Sequence, residues 1–96
     1  MTKQEKQNII KISWELHNKI ESNYINHPAK KGSANWLEKQ HLLLADMALH
    51  LLQTALHSED SKHYRLQDNL YAILTISDQF LPKANLKEAT KHIYNK

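Results

Sequence analysis

NWLEKQHLLLADMALHLLQTALH, from Asn35 to His57, is the stretch whose reading decides the fold. Set on a helix at about 100° per residue, Lys39, Asp46, His50, Gln53 and His57 fall into one narrow polar stripe. Leu37, Leu44, Met47, Ala48, Leu51, Leu52 and Ala55 lie opposite, and Leu42, Ala45, Leu49 and Leu56 widen the apolar arc to roughly 200°. A helix this apolar must touch neighbours on more than one side. It is expected at the centre of a helical assembly, with its polar stripe an ordinary one rather than a site.

The remaining chain supplies the neighbours. Thr2 and Glu5 form a Thr-x-x-Glu capping box, opening an amphipathic helix over about residues 3–25. Ile9, Ile12, Leu16, Ile20 and Tyr24 mark its apolar side together with Ser13 and His17, and Ile10 and Trp14 flank that stripe. Residues 26–33 hold Pro28 and the single Gly, Gly32, and read as the one real loop, exposing Lys30 and Lys31. Asn35 with Glu38, and Asn85 with Glu88, have the spacing of two further capping boxes. Ser58 or Asp60 is the expected start of a third helix running to about Phe80, where Pro82 forces a break. Its apolar side collects Tyr64, Leu66, Leu70, Tyr71, Ile73, Leu74, Phe80 and Leu81, while Arg65, Asp68, Ala72, Thr75 and Gln79 mark the side expected in solvent. A short last helix carries Leu86, Ala89 and Ile93. With no Val and no sustained alternation of apolar and polar residues, no strand competes. The expected fold is all-α: one domain over residues 1–96, an antiparallel four-helix bundle with a short fourth helix.

Composition bounds the chemistry. Ninety-six residues allow one modest core. The absence of Cys excludes a disulfide scaffold, a thiolate nucleophile and a Cys-ligated zinc site, and suits a reducing cytoplasm. No apolar segment follows Met1 as a signal peptide requires, and Asp46, His50 and Gln53 interrupt the longest apolar run, so no membrane span is expected. A formal net charge of +3, with Arg65 the only Arg, is mild for a nucleic-acid binder. Seven His stand out, because mild acid would add up to seven positive charges to this small surface.

No catalytic signature emerges. Asp46 and His50 are four apart on one face with His57 beyond them, a spacing zinc or nickel can use, but the third and fourth ligands such a site needs are not visible. His57, Asp60 and His63 surround a helix junction, where capping accounts for them. His17 and His41 fall on apolar sides, the usual position of a boundary His with one hydrogen bond. Ser, His and carboxylates lack a strand–turn–helix context that would expose a nucleophile, and no Gly-rich phosphate loop exists. No enzyme, metal or cofactor is expected.

KQNIIKISWELHNKI, from Lys6 to Ile20, is a Lys- and Gln-rich amphipathic opening helix, and RLQDNLYAILTISDQFLPKANLKEATKHIYNK, from Arg65 to Lys96, is a third helix, a basic Pro-containing turn and a short fourth helix. Together these resemble the immunity proteins of class IIa, pediocin-like bacteriocins. The resemblance implies a cytoplasmic antiparallel four-helix bundle, peripheral at the inner membrane face, that protects a producing bacterium by acting on the complex of bacteriocin and sugar-transport permease. It implies that the C-terminal half sets specificity, which here singles out Phe80, Lys83, Lys87, Lys91, Tyr94 and Lys96 as partner-binding residues. PAKKGSANWLEKQHLLLADM resembles instead the basic loop and apolar helix of four-helix accessory proteins of diversity-generating retroelements, which would bind nucleic acid. A third alternative is a plain oligomeric interaction module, such as a homodimer buried at Trp14, Trp36 or the broad face of the second helix.

Overall fold

A computed structural model of the chain describes residues 1–57 and 63–94, all in helices and turns. Helix α1 spans Lys3–Asn26, α2 Trp36–Leu56, α3 His63–Asp78 and α4 Leu86–Thr90. The expected start of the third helix at Ser58 or Asp60 lies outside the described residues.

Local chemistry accounts for the helix ends, with two corrections. The Thr2 hydroxyl accepts from the Glu5 N–H at 3.0 Å and Glu5 accepts from the Thr2 N–H at 2.8 Å, so the first capping box is formed. At α2 it is not. Asn35 turns its Oδ1 to the Ser33 hydroxyl at 2.9 Å, and Glu38 faces the His27 ring at 3.7 Å, so neither reaches back to the helix start. At α4 the expected box also fails: Asn85 sits in the left-handed region at φ 56°, from which its side chain makes no cap bond, and Glu88 pairs with Lys91 at 3.0 Å. Between α1 and α2, Pro28 holds His27 extended and Gly32 takes φ +91°, as the loop composition requires.

The helices meet only in chain order. Among the described residues α1 packs on α2, α2 on α3 and α3 on α4, with no other pair in contact. Residues that meet across the first seam run in opposite numerical order: Ser13 with Gln53, His17 with Asp46, Tyr24 with Lys39. Helix α2 therefore is central, as its wide apolar arc demanded, with one long neighbour on each side. The molecule measures 44 × 35 × 16 Å, and its radius of gyration of 15.1 Å exceeds the roughly 12.5 Å of a compact chain this long.

So open an arrangement buries little. Ala29 and Ile76 are the buried apolar residues among those described, whereas Ser13, His17, Gln40, Asp46 and Thr90 are buried polar ones. Continuing the helical periodicity through α1, α2 and α3 puts Ile12 and Leu16, Leu49, Leu52 and Leu56, and Leu66 and Leu70 on one side of the layer. Ile12, Leu16, Leu52, Leu66 and Leu70 remain exposed there. Trp14, His50, Arg65 and Asp68 line a cleft of about 510 Å³ on the other side.

Candidate functional site

The polar stripe of α2 is the side that meets α1, not a solvent face. Ser13 and His17, one turn apart on α1, are set against it. Ser13 donates to the Ile10 carbonyl at 2.6 Å and accepts from Gln53 Nε2 at 3.1 Å. His17 donates from Nδ1 to Asp46 Oδ1 at 2.5 Å, and both residues are buried. The other ring nitrogen, Nε2, lies 3.3 Å from Glu21 Oε2. Asp46 Oδ2 in turn lies 3.6 Å from His50 Nε2, so one carboxylate sits between two imidazoles. Trp14 closes the group edge-on, its ring centroid 5.3 Å from that of His17 and 6.2 Å from that of His50.

The spacing on each helix makes this convergence possible. His17 and Glu21 are four apart on α1, and Asp46 and His50 are four apart on α2, so each pair projects from one face. Packing the two faces together gathers two imidazoles and two carboxylates. Ligand atoms of His17, Asp46 and His50 all lie within 4.8 Å of one another. Glu21, Asp46 and His50 also border a smaller cavity of about 260 Å³ whose other walls are Tyr24, Ile25, Leu43 and Met47. Further along the seam, Lys39 Nζ donates to the His27 carbonyl at 3.1 Å and stands over the Tyr24 ring, 4.9 Å from its centroid. His57, expected to continue the line of Asp46 and His50, is exposed at the end of α2 and is not in the cluster.

The seam between α2 and α3 carries a second polar contact. Trp36 donates from its indole to Gln79 Oε1 at 2.9 Å, and Gln79 Nε2 donates to Gln40 Oε1 at 2.9 Å. Gln79 spans the seam to α2 while remaining exposed, as expected of the solvent side of α3. Arg65 and Asp68 are exposed, as expected, and line the larger cleft beside Asn69, whose buried Oδ1 has no hydrogen-bond partner among the described residues. The apolar side of α3 is divided: Ile73 and Leu74 are half-buried, while Tyr64, Leu66, Leu70 and Tyr71 stay exposed.

Of the residues expected to bind a partner, Phe80 packs on the His41 ring, centroids 4.3 Å apart, and is half-buried. Lys83 and Lys87 are exposed; Lys91 is exposed too but engaged with Glu88. Tyr94 donates its hydroxyl to Asp68 Oδ1 at 2.6 Å and packs near Tyr71, while Gln67 Nε2 donates to the Ile93 carbonyl at 3.0 Å. The bond to Asp68 holds the Tyr94 phenol above its ordinary pKa, with some added burial. These contacts pin the turn after α4 onto α3. Lys96 lies outside the described residues.

No family model, no curated protein and no solved structure matches this chain.

Periodicity located Asp46 and His50 and flagged the missing ligands. It did not bring His17 and Glu21 to them, because a contact across 29 positions leaves no mark in either helix's own pattern. The one available signal was the polar pair Ser13 and His17 on an otherwise apolar side of α1, which calls for polar groups opposite.

Proposed function

We propose that this protein is a non-enzymatic helical binding module that pairs with a second copy of itself across its open apolar face. The exposed area carries the reading. A folded monomer of 11.3 kDa should expose roughly 5,700 Å², against 7086 Å² here. The excess is about 1,350 Å² per chain, so burying it between two copies would remove about 2,700 Å², inside the range of obligate homodimers. Ile12, Leu16, Leu52, Leu66 and Leu70 form the centre of such an interface, and each leucine fully withdrawn from water contributes about 1.5–3 kcal/mol. On this reading the antiparallel bundle expected from the sequence is completed by the pair, each copy's α1, α2 and α3 roofing the other's.

Sedimentation equilibrium measures the outcome directly. Twice the chain mass at micromolar concentration is expected. A monomer at every concentration, with the apolar face still open, would refute the pairing.

For the biological role we propose bacteriocin immunity, resting on the resemblance of residues 6–20 and 65–96 to class IIa immunity proteins. The pinning of Tyr94 and Ile93 onto α3 supports it, because it makes α4 and the exposed Lys83 and Lys87 a rigid basic end able to meet a membrane-associated partner. No helix among the described residues is long and apolar enough to cross a membrane, so such a protein would act at the surface. Expression in strains sensitive to class IIa peptides should raise resistance to at least one of them. Unchanged sensitivity across the panel would remove this role and leave the pairing untouched.

A further inference from the structure

We propose that His17, Asp46 and His50 form a binding site for a divalent transition-metal ion, Zn²⁺ foremost, that cross-links α1 to α2, with Glu21 orienting the His17 ring and solvent completing the coordination. Four properties of the cluster point there. The donors are two imidazole nitrogens and one carboxylate, a set that suits Zn²⁺ and other borderline ions and not Mg²⁺ or Ca²⁺, which prefer oxygen alone. With Glu21 they come as two i,i+4 pairs on facing helices, so the backbone fixes each pair and the seam fixes the pairs to each other. Ligand atoms of His17, Asp46 and His50 already lie within 4.8 Å, and tetrahedral bonds of about 2.0–2.1 Å ask only that His50 move slightly inward and the His17–Asp46 contact open by somewhat under 1 Å. Glu21, whose Oε2 is 3.3 Å from His17 Nε2, accepts from the ring nitrogen that faces away from Asp46, the position from which a carboxylate orients a metal-binding imidazole.

Burial adds a reason. His17 and Asp46 are withdrawn from water, where a buried carboxylate has to be paired or to coordinate a metal. A dication held by Asp46 and the two imidazoles meets that requirement, while Glu21 accepts from the other nitrogen of His17. His50 and Glu21 are nearer the surface and leave a path for the ion to enter. The site belongs to a single chain and lies away from the open apolar face, so it does not depend on the pairing of two copies.

The test is a titration of the wild-type protein, stripped with EDTA, with Zn²⁺ alone and in parallel with Co²⁺. One equivalent per chain is expected. Tetrahedral Co²⁺ should give intense visible d–d absorption, and Trp14, packed against both imidazoles, should change its fluorescence. Removing His17 or Asp46 risks unfolding the seam, so the decisive variants are at the more exposed ligand His50 and the orienting Glu21. His50→Ala should weaken Zn²⁺ binding about 100-fold and Glu21→Gln about 10-fold, while His92→Ala, at the far end of the chain, changes nothing. Helicity of each variant is checked by circular dichroism. No saturable Zn²⁺ uptake by the folded wild type overturns the proposal. So does uptake that His50→Ala and Glu21→Gln leave unchanged, because the ion would then sit on other histidines.

Discussion

Asp46→Leu tests the view that α1 is held on α2 by polar contacts rather than by an apolar core. Asp46 is 5% exposed and accepts the Nδ1 proton of His17, itself 7% exposed. Leucine has similar bulk but no acceptor, so the substitution strands a buried donor, which costs about 1–3 kcal/mol for a neutral group. Where the lost partner was charged, the cost rises to about 3–5 kcal/mol. We take about 3 kcal/mol as the expected loss. At about 4–8 °C per kcal/mol for a domain this size, the melting temperature should fall by about 12–24 °C. His17→Leu should cost a similar amount by stranding the carboxylate. The double variant His17→Leu with Asp46→Leu strands nothing and adds apolar contact, so it should return to within about 1 kcal/mol of wild type or exceed it. Asp46→Asn keeps an acceptor for His17 and should cost only about 1 kcal/mol. Urea unfolding followed by far-UV circular dichroism measures all four proteins, in EDTA to remove bound metal and at one protein concentration to fix any association. A single variant within about 0.5 kcal/mol of wild type would refute the reasoning. So would a double variant as unstable as the two singles added together, since the cost would then owe nothing to their pairing.

Other expectations can be checked alongside. Leu52→Lys with Leu70→Lys places charges on the open face and should yield a monomer by light scattering, with helicity retained. Because Asp68 raises the Tyr94 phenol, one of the four tyrosines should ionise later than the rest in an ultraviolet pH titration, and Tyr94→Phe should abolish that late step. The sign follows from linkage: the contact stabilises the fold below the ordinary phenol pKa and is lost as pH rises through the folded value. Glu5 runs the other way, its carboxylate held below the usual range by the Thr2 N–H and hydroxyl. Its help to α1 is complete above the ordinary carboxylate pKa and disappears as pH falls through the lowered one, so Glu5→Ala should flatten the acid limb of an α1 helicity titration. Asn85→Gly should be nearly neutral and Asn85→Val should cost about 1–2 kcal/mol in urea unfolding, because φ 56° penalises a β-branched residue.

How much of this was legible depends on which physical quantity each feature needs. Helix number and extent follow from local periodicity, capping at Thr2 and breaking at Pro28 and Pro82, and the helices sit within a few residues of their expected bounds wherever they are described. Two capping boxes failed, although their spacing was right, because a spacing states that two side chains can meet and not that they do so in preference to Ser33, His27 or Lys91. The larger shift concerns orientation. An amphipathic pattern divides a helix into two faces, and the customary assignment sends the apolar one inward. Here the stripe of Asp46, His50 and Gln53 turns inward because Ser13 and His17 answer it with complementary donors and acceptors. Of the leucines of the wide arc, Leu42, Leu44, Leu49, Leu51 and Leu56 are half-buried, and Leu37 and Leu52 are left exposed.

That inversion makes sense if the two kinds of surface answer different requirements. Apolar packing is strong but indifferent to position: an α1 held on α2 by leucines alone could slide by one turn and lose little, since apolar residues recur at spacings of three and four on both helices. The pairs Ser13–Gln53 and His17–Asp46 cannot slide, because any shift strands buried donors and acceptors. Polar chemistry thus sets the register within a chain, and in the pairing proposed above the non-directional apolar area would serve association, about 2,700 Å² supplying the stability that so thin a monomer lacks. The double variant His17→Leu with Asp46→Leu separates the two roles. It should keep its stability and its dimer, yet exchange α1 amide hydrogens faster than wild type as alternative registers become accessible. Unchanged exchange in α1 would mean that the register is held without His17 and Asp46, by Ser13 with Gln53 and by Lys39 on the His27 carbonyl and the Tyr24 ring.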